Sequence, residues 1–249
     1  MSGVVGIDLG STTTKAVMLD ERGDVLGRGI TNSRSNYDLA AAVAKTEALI
    51  NARFGLIQQQ VQGTPAAESV GRLRRAFVLE QLLHQLRHLE ALMVAEVERA
   101  APAGLRTAFI AALQEICRRI TAEEEARLRQ PQVLRSDFFR DAAGSAFMRI
   151  AETIGDPGGV SFDRLVGVYD KCIIRVENEP LELDFRDHIA TALKRIGSPP
   201  GLVDAVEYAA AKDLTPLATV GTGYGRARLP FPKEQIRSEE RRVGKECRL

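Results

Sequence analysis

The sequence predicts an α/β fold in which a β-rich start and a β-rich end enclose a long helical middle. Short apolar runs punctuated by turn residues fill positions 3–31, the pattern of buried strands joined by hairpins. Through most of positions 53–180 apolar residues instead recur at steps of three and four, the period of helices that bury one face. Near the end, Leu217-Ala218-Thr219-Val220 reads as a strand entering the glycine-rich run Gly221-Thr222-Gly223-Tyr224-Gly225-Arg226.

Taken in order, Gly3 to Leu9 and Lys15 to Asp20 read as two strands around the polar run GSTTT. Glu21-Arg22-Gly23-Asp24 supplies turn chemistry, with Gly23 able to take positive φ, and VLGRGIT follows as a third strand, giving an antiparallel meander. The polar stretch Asn32 to Asn36 reads as a loop and helix cap, and Leu39, Ala42, Val43, Leu49 and Ile50 place a helix over about Asp38 to Phe54. Leu79, Leu82, Leu86, Leu89, Met93 and Val97 form one apolar seam on a long helix between Ala66 and Ala100, the expected core of the helical middle. Pro102 and Gly104 end it, and Leu105 to Leu128 reads as the next helix, with Glu123-Glu124-Glu125 as a solvated acidic face. Ser136 caps a helix ending at Ile154, before the turn residues Gly155 to Gly159. Ser161 to Asp170 reads as a short helix, Cys172 to Val176 as a strand or extended linker, and Leu183 to Ile196 and Leu202 to Ala211 as two further helices.

The 249 residues carry 34 Lys+Arg against 33 Asp+Glu. Such a balance provides no field to gather a polyanion, so nucleic acid is not an expected partner. No apolar run reaches membrane-spanning length and no basic leader opens the chain, so neither a membrane span nor a signal peptide is expected. Three widely spaced cysteines, Cys117, Cys172 and Cys247, form no CxxC pair and fit a reducing, cytoplasmic setting.

The sharpest chemical motif is Asp8-Leu9-Gly10-Ser11-Thr12-Thr13-Thr14-Lys15 between two strands. Gly10 permits close backbone approach, the amides and hydroxyls of Ser11 to Thr14 suit phosphate oxygens, and Lys15 adds a cation. Asp8, at a strand end, suits Mg²⁺ held through water. The run is no P-loop, since GxxxxGK[ST] is absent and a strand follows. The Gly221–Arg226 run does not match GxGxxG, and taken alone it reads as a structural turn. Both loops leave strands that can neighbour each other with the bulk of the chain inserted between them. His84 and His88 lie four apart but do not form HExxH, and they read with His188 as structural residues rather than ligands. Arg72, Arg74 and Arg75 read as a solvated face.

GIDLGSTTTKAV resembles the first phosphate loop of the acetate and sugar kinase, heat-shock protein 70 and actin superfamily. The stretches ITNSRSNYDLAAA, SDFFRDAAGSAF, GVYDKCIIRVENEP and VGTGYGRARLPFPKEQIRSE resemble the BadF/BadG/BcrA/BcrD type of activator ATPase, and specifically the ATP-binding subunit of ATP-dependent benzoyl-CoA reductase. The resemblance implies a ribonuclease-H-like ATPase lobe at residues 1–52 and 181–236, interrupted by a mainly helical insertion at 53–180. It implies ATP and Mg²⁺ as cofactors, with Asp8 as the Mg²⁺-facing acid, Gly10, Ser11, Thr12, Thr13 and Lys15 as the first phosphate loop, and Thr222 and Gly223 near the nucleotide cleft. It further implies a [4Fe-4S] cluster in the full-length parent, with ferredoxin as donor and the other reductase subunits, a homologous ATPase subunit among them, as partners.

The family continues into a second phosphate strand, cluster cysteines and a second lobe, none of which is found in these residues, so the chain is expected to be an N-terminal fragment that is inactive alone. Cys117 and Cys172 lie outside the family's ligand positions and read as ordinary thiols, leaving no iron–sulfur ligand in this chain. Residues 237–249 have no apolar periodicity and back-translate to a common sequencing adapter, so they are expected to be an artefact tail. Three other functions fit the same residues: an activator ATPase of a 2-hydroxyacyl-CoA dehydratase, a small-molecule phosphotransferase of the superfamily, and a non-catalytic helical interaction protein.

Overall fold

The structure, a computed structural model, describes residues 3–33, 36–129, 139–178 and 185–223. Two compact units divide the chain, one comprising Met1–Gln62 with Ala205–Leu249 and the other Gly63–Asp204.

The first unit is built on a mixed sheet of β1 (Gly3–Leu9), β2 (Thr13–Asp20), β3 (Val25–Asn32) and β4 (Ala218–Gly223), in the order β3-β2-β1-β4. The first three strands are the expected meander. Gly23 takes φ 86° in the second hairpin, where Asp20 Oδ1 accepts the N–H groups of Arg22 and Asp24 at 2.9 and 2.8 Å. β4 returns parallel to β1, pairing Val4 with Ala218 and Leu9 with Gly223.

Alternation along the strands gives the sheet two faces. Val5, Ile7, Leu9, Ala16 and Met18 are buried on the inner face, which packs on α1 (Tyr37–Val61). Asn36 caps α1, its Oδ1 accepting the Leu39 N–H at 3.1 Å. The helix runs seven residues beyond the Phe54 expected from sequence, because Leu56, Ile57 and Val61 are also buried. Its buried stripe includes Ala40, Ala44, Ala48 and Ala52, whereas Ala42 is exposed. These small residues meet Gly27 and Gly29 of β3: a Cβ on Gly29 would overlap the Ala44 carbonyl oxygen and lie 2.7 Å from the Ala48 nitrogen. Polar ties add to this packing. Lys45 Nζ donates to Thr219 Oγ1 of β4 at 3.5 Å, and Arg53 donates to the carbonyls of Ala209, Ala210 and Lys212 at the C-terminal end of α7 (Leu202–Ala211). These last carbonyls have no intrahelical partner, so a guanidinium suits them.

The second unit is helical among its described residues. A 3₁₀ turn at Pro65–Ser69 leads into α2 (Val70–Ala100), followed by α3 (Ala103–Arg127), α4 (Phe139–Ile154), α5 (Phe162–Asn178) and α6 (Phe185–Arg195). The predicted seam is buried: Leu86, Leu89, Met93 and Val97 join Phe109, Leu113, Ile116, Phe147 and Leu165 in one core, while Leu79, Leu82 and Leu83 form a smaller cluster.

Three expectations are corrected here. Cys172–Val176 lies within α5 and is neither strand nor linker, because Leu165, Tyr169, Cys172, Ile173 and Val176 are buried at helical spacing and tertiary burial outweighs the β-propensity of paired isoleucines. The acidic run is a solvated face only in part: Glu124 is buried and bonds Arg127 at 2.9 Å, whereas Glu123 and the exposed Glu125 pair with Arg149 of α4 and Arg195 of α6. The seam helix begins at Val70, after a 3₁₀ turn that starts at Pro65. The Ser136 cap, the start of the Leu183 helix and residues 237–249 lie outside the described residues.

Candidate functional site: a hairpin turn beside a strand end

The β1–β2 turn and the Gly221–Gly223 end of β4 stand side by side. The parallel register sets Asp8 opposite Thr222 and Leu9 opposite Gly223, and the antiparallel register sets Asp8 opposite Lys15. Lys15, Asp8 and Thr222 therefore form one cross-strand row on the outer face, at the end of the sheet where the β1–β2 turn lies. Asp8 and Lys15 are exposed, and Thr222 Oγ1 donates to Asp8 Oδ1 at 3.3 Å across 214 positions of sequence.

Glycine is what allows this approach. Gly223 has φ 90°, and a Cβ there would overlap the Leu9 carbonyl oxygen and lie 3.0 Å from Asp8 Oδ1. Gly10 closes the β1–β2 turn by donating its N–H to the Thr13 carbonyl at 3.2 Å, and a Cβ on it would sit 2.7 Å from that oxygen. The N–H of Gly10 is thus committed to the turn. The N–H groups of Ser11 and Thr12, exposed at its tip, have no hydrogen-bond partner among the described residues. Ser33 N–H donates to the Thr12 carbonyl at 2.8 Å and pins the tip to the end of β3.

Thr14 differs from its neighbours. Its side chain is buried on the inner face and its hydroxyl is bonded to Ser33 Oγ at 2.8 Å. The sequence reading of Ser11 to Thr14 as four phosphate-facing hydroxyls is corrected at this position, since strand alternation turns Thr14 inward. Tyr224, Gly225 and Arg226 lie outside the described residues.

A groove of about 530 Å³ opens on the outer face, lined by Gly6, Asp8, Lys15, Val17, Arg28, Ile30, Val220 and Thr222 among others. Arg28 had no role in the sequence reading. Alternation in β3, which hides Gly27 and Gly29 and exposes Arg28 and Ile30, was the signal that could have found it.

The cysteines and histidines are placed elsewhere. Cys117 of α3 and Cys172 of α5 are free and buried in one apolar core. Burial pushes the Cys117 thiol up to about 12, with the Glu90 charge adding to it, and burial also raises Cys172. His84 of α2 meets His188 of α6 edge to face, ring centroids 5.4 Å apart, and Phe77 packs on His188 at 6.0 Å. Burial, then the neighbouring charges of Arg87 and His88, hold His84 below its ordinary value, and burial likewise lowers His188. Among the described residues no three His, Cys, Asp or Glu side chains converge to hold a metal ion, and no helix is long and apolar enough to cross a membrane.

An α/β unit whose first hairpin turn presents free amides beside a strand-end carboxylate, with the glycine-containing end of a parallel strand alongside, offers donors of the kind an anion needs. The family model of the BadF/BadG/BcrA/BcrD ATPases matches residues 5–246, and the chain belongs to that family. Comparison with curated proteins and with solved structures returned no match.

Proposed function

We propose that the chain is part of the ATP-binding subunit of an ATP-dependent benzoyl-CoA reductase, in which ATP hydrolysis drives low-potential electron transfer toward the aromatic ring. Membership of the ATPase family supports ATP and Mg²⁺ as the groups handled. The segments quoted from the sequence point within that family to the benzoyl-CoA reductase subunit. The single observation that carries the phosphate-site reading is the pairing of β1 with β4, which brings Asp8 and Thr222 to 3.3 Å from opposite ends of the chain.

The residues fit the groups. Mg²⁺ keeps much of its water shell and is held through one or two carboxylates, and Asp8 offers an exposed carboxylate oriented by Thr222. When bound, the ion neutralises phosphate charge and organises the phosphates for attack by water. Ser11 and Thr12 present amides to the phosphates, Thr13 stands at the start of β2, and Lys15 adds a point charge on the same row as Asp8. Gly10 and Gly223 keep Cβ atoms out of the space around the β1–β2 turn and the end of β4. In this reading hydrolysis is felt as closure of this lobe on a second one, and a [4Fe-4S] cluster would belong to the complete enzyme, held by residues outside this chain. Ferredoxin, the other reductase subunits and a cytoplasmic setting belong to the same proposal.

The test is expression of the complete gene with its neighbouring subunits under anaerobic conditions. Oxidation of reduced methyl viologen that requires both ATP and benzoyl-CoA, and is lost in Asp8→Asn, is the expected result. ATP consumption accompanied by phosphorylation of a small acceptor, with no viologen oxidation, would replace the reading with a phosphotransferase.

A further inference from the structure

All three histidines of the chain lie on two helices of the second unit, His84 and His88 one turn apart on α2 and His188 on α6. His188 is 8% exposed and packs edge to face on two rings of α2, Phe77 at 6.0 Å and 90° and His84 at 5.4 Å and 80°. Phe185, one turn earlier on α6, meets Phe77 at 5.3 Å. The last turn of α6 is held by charge instead, Arg195 bonding Glu80 of α2 and Glu125 of α3. An aromatic cluster containing two titratable rings therefore fixes the start of α6.

That cluster suits neutral imidazoles. Neither His84 nor His188 makes a hydrogen bond or ion pair with any described residue. An imidazolium carries a charge and two N–H donors, and burying them without acceptors is costly. The charged neighbours do not supply what is missing. α2 brings Arg87, His88 and Glu80, but Glu80 is bonded to Arg195. α6 brings Asp187, which is exposed, and the Glu125 of α3 is bonded to Arg195. Burial, and next the charge of His84, hold His188 below the ordinary value of 6.5, with Glu80 and Asp187 offsetting part of the effect; burial and then Arg87 do the same to His84.

We propose that α6 is a latch released by acid: charging His84 and His188 drives α6 off α2 and uncovers the aromatic face around Phe77, while the rest of the helical unit stays folded. A helix of eleven residues is marginal on its own in water, so α6 loses its helical hydrogen bonds once it leaves α2. The released form takes up protons first as pH falls through 6.5, so release is favoured below that value and reversed above it. At about pH 5.5, each imidazole that is neutral when docked and charged when free shifts the balance about tenfold toward release.

Hydrogen exchange on the full chain at about pH 7.5 and about pH 5.5, corrected for the intrinsic pH dependence of exchange, tests this. Protection over residues 189–196 is expected to fall at the lower pH by about tenfold or more relative to α3 and α4, and to recover when the pH is raised. His188→Phe keeps a ring against Phe77 and removes the charge, so it should suppress most of the fall. His84→Phe should do the same and serves if the first variant fails to fold, as judged by α3 protection at the higher pH. With three histidines in the chain, three imidazole resonances report charging in the same samples, and those of His84 and His188 should titrate together with the opening of α6. Equal protection of α6 at both pH values, a loss spread equally over α3 and α4, or a loss that both Phe variants retain overturns the proposal. So does complete titration of His188 with α6 still protected.

Discussion

Replacing Gly29 by Ala adds only one methyl group to the chain, yet it should destabilise the first unit measurably. The new Cβ would overlap the Ala44 carbonyl oxygen and stand 2.7 Å from the Ala48 nitrogen and 2.8 Å from Glu47 Cβ. Two of these three are backbone atoms, which cannot rotate aside, so relief requires α1 to lift from β3. Overpacking of a core costs about 1–3 kcal/mol, and the rigidity of the neighbours puts this case near 3. Against it stands a gain of about 0.4–1 kcal/mol from the lower entropy of the unfolded chain. The net loss is about 2 kcal/mol, or roughly thirtyfold in the folding equilibrium. Gly167 is the control: it lies inside α5, is exposed, and a Cβ there meets nothing within 4 Å, so Gly167→Ala should stabilise by about 0.5–1 kcal/mol. Urea unfolding followed by far-ultraviolet circular dichroism, with hydrogen exchange of the sheet amides to separate the two units, measures both. A Gly29→Ala protein as stable as the parent would refute the packing argument.

Three further outcomes follow from the helical unit. Arg195 Nε bonds Glu80 at 2.6 Å and Arg195 Nη1 bonds Glu125 at 2.9 Å, with Glu80 buried; Arg195→Met should therefore cost about 3 kcal/mol by stranding a buried carboxylate, and adding Glu80→Met should recover much of it in denaturant unfolding. His84 and His188 are both held below the ordinary histidine value of 6.5 in the fold. As pH falls through 6.5 the unfolded chain takes up protons first, so stability should decline until the folded-state values are passed; His188→Phe should flatten that decline in urea midpoints measured between pH 7 and 5. The Cys117 thiol, buried and raised to about 12, should resist iodoacetamide in the folded protein and react only after unfolding, as read by mass spectrometry.

Much of this architecture is legible in the sequence because its signals are local. Alternating residues in Gly3–Leu9, the Gly23 turn, the Asn36 cap and the seam from Leu79 to Val97 each specify their element by a short-range rule. What was not legible depends on partners far along the chain. The Ile173-Ile174 pair suggests a strand until the burial of Leu165, Tyr169 and Val176 makes the segment one helix face. Gly27 and Gly29 carry no meaning until the alanine stripe of α1 is laid against them, although a GxG in a strand followed by alanines four apart is a recognisable sign of close packing. The candidate site divides in the same way. Asp8 to Lys15 declares itself as a phosphate-type loop, but the inward turn of Thr14, the anchoring of the loop by Ser33 and the exposure of Arg28 follow from strand parity and register.

In the proposed function the Gly10–Lys15 turn and the Gly221–Gly223 end of β4 bind phosphate together. Amide hydrogen exchange on the full chain, with and without MgATP, tests it most directly. The account predicts slowed exchange at Ser11 and Thr12 and, in the same titration, at Thr222 and Gly223, with both effects lost in Asp8→Asn while the exchange of the helical unit is unchanged. Protection at neither loop at millimolar nucleotide, or protection that survives Asp8→Asn, would contradict it.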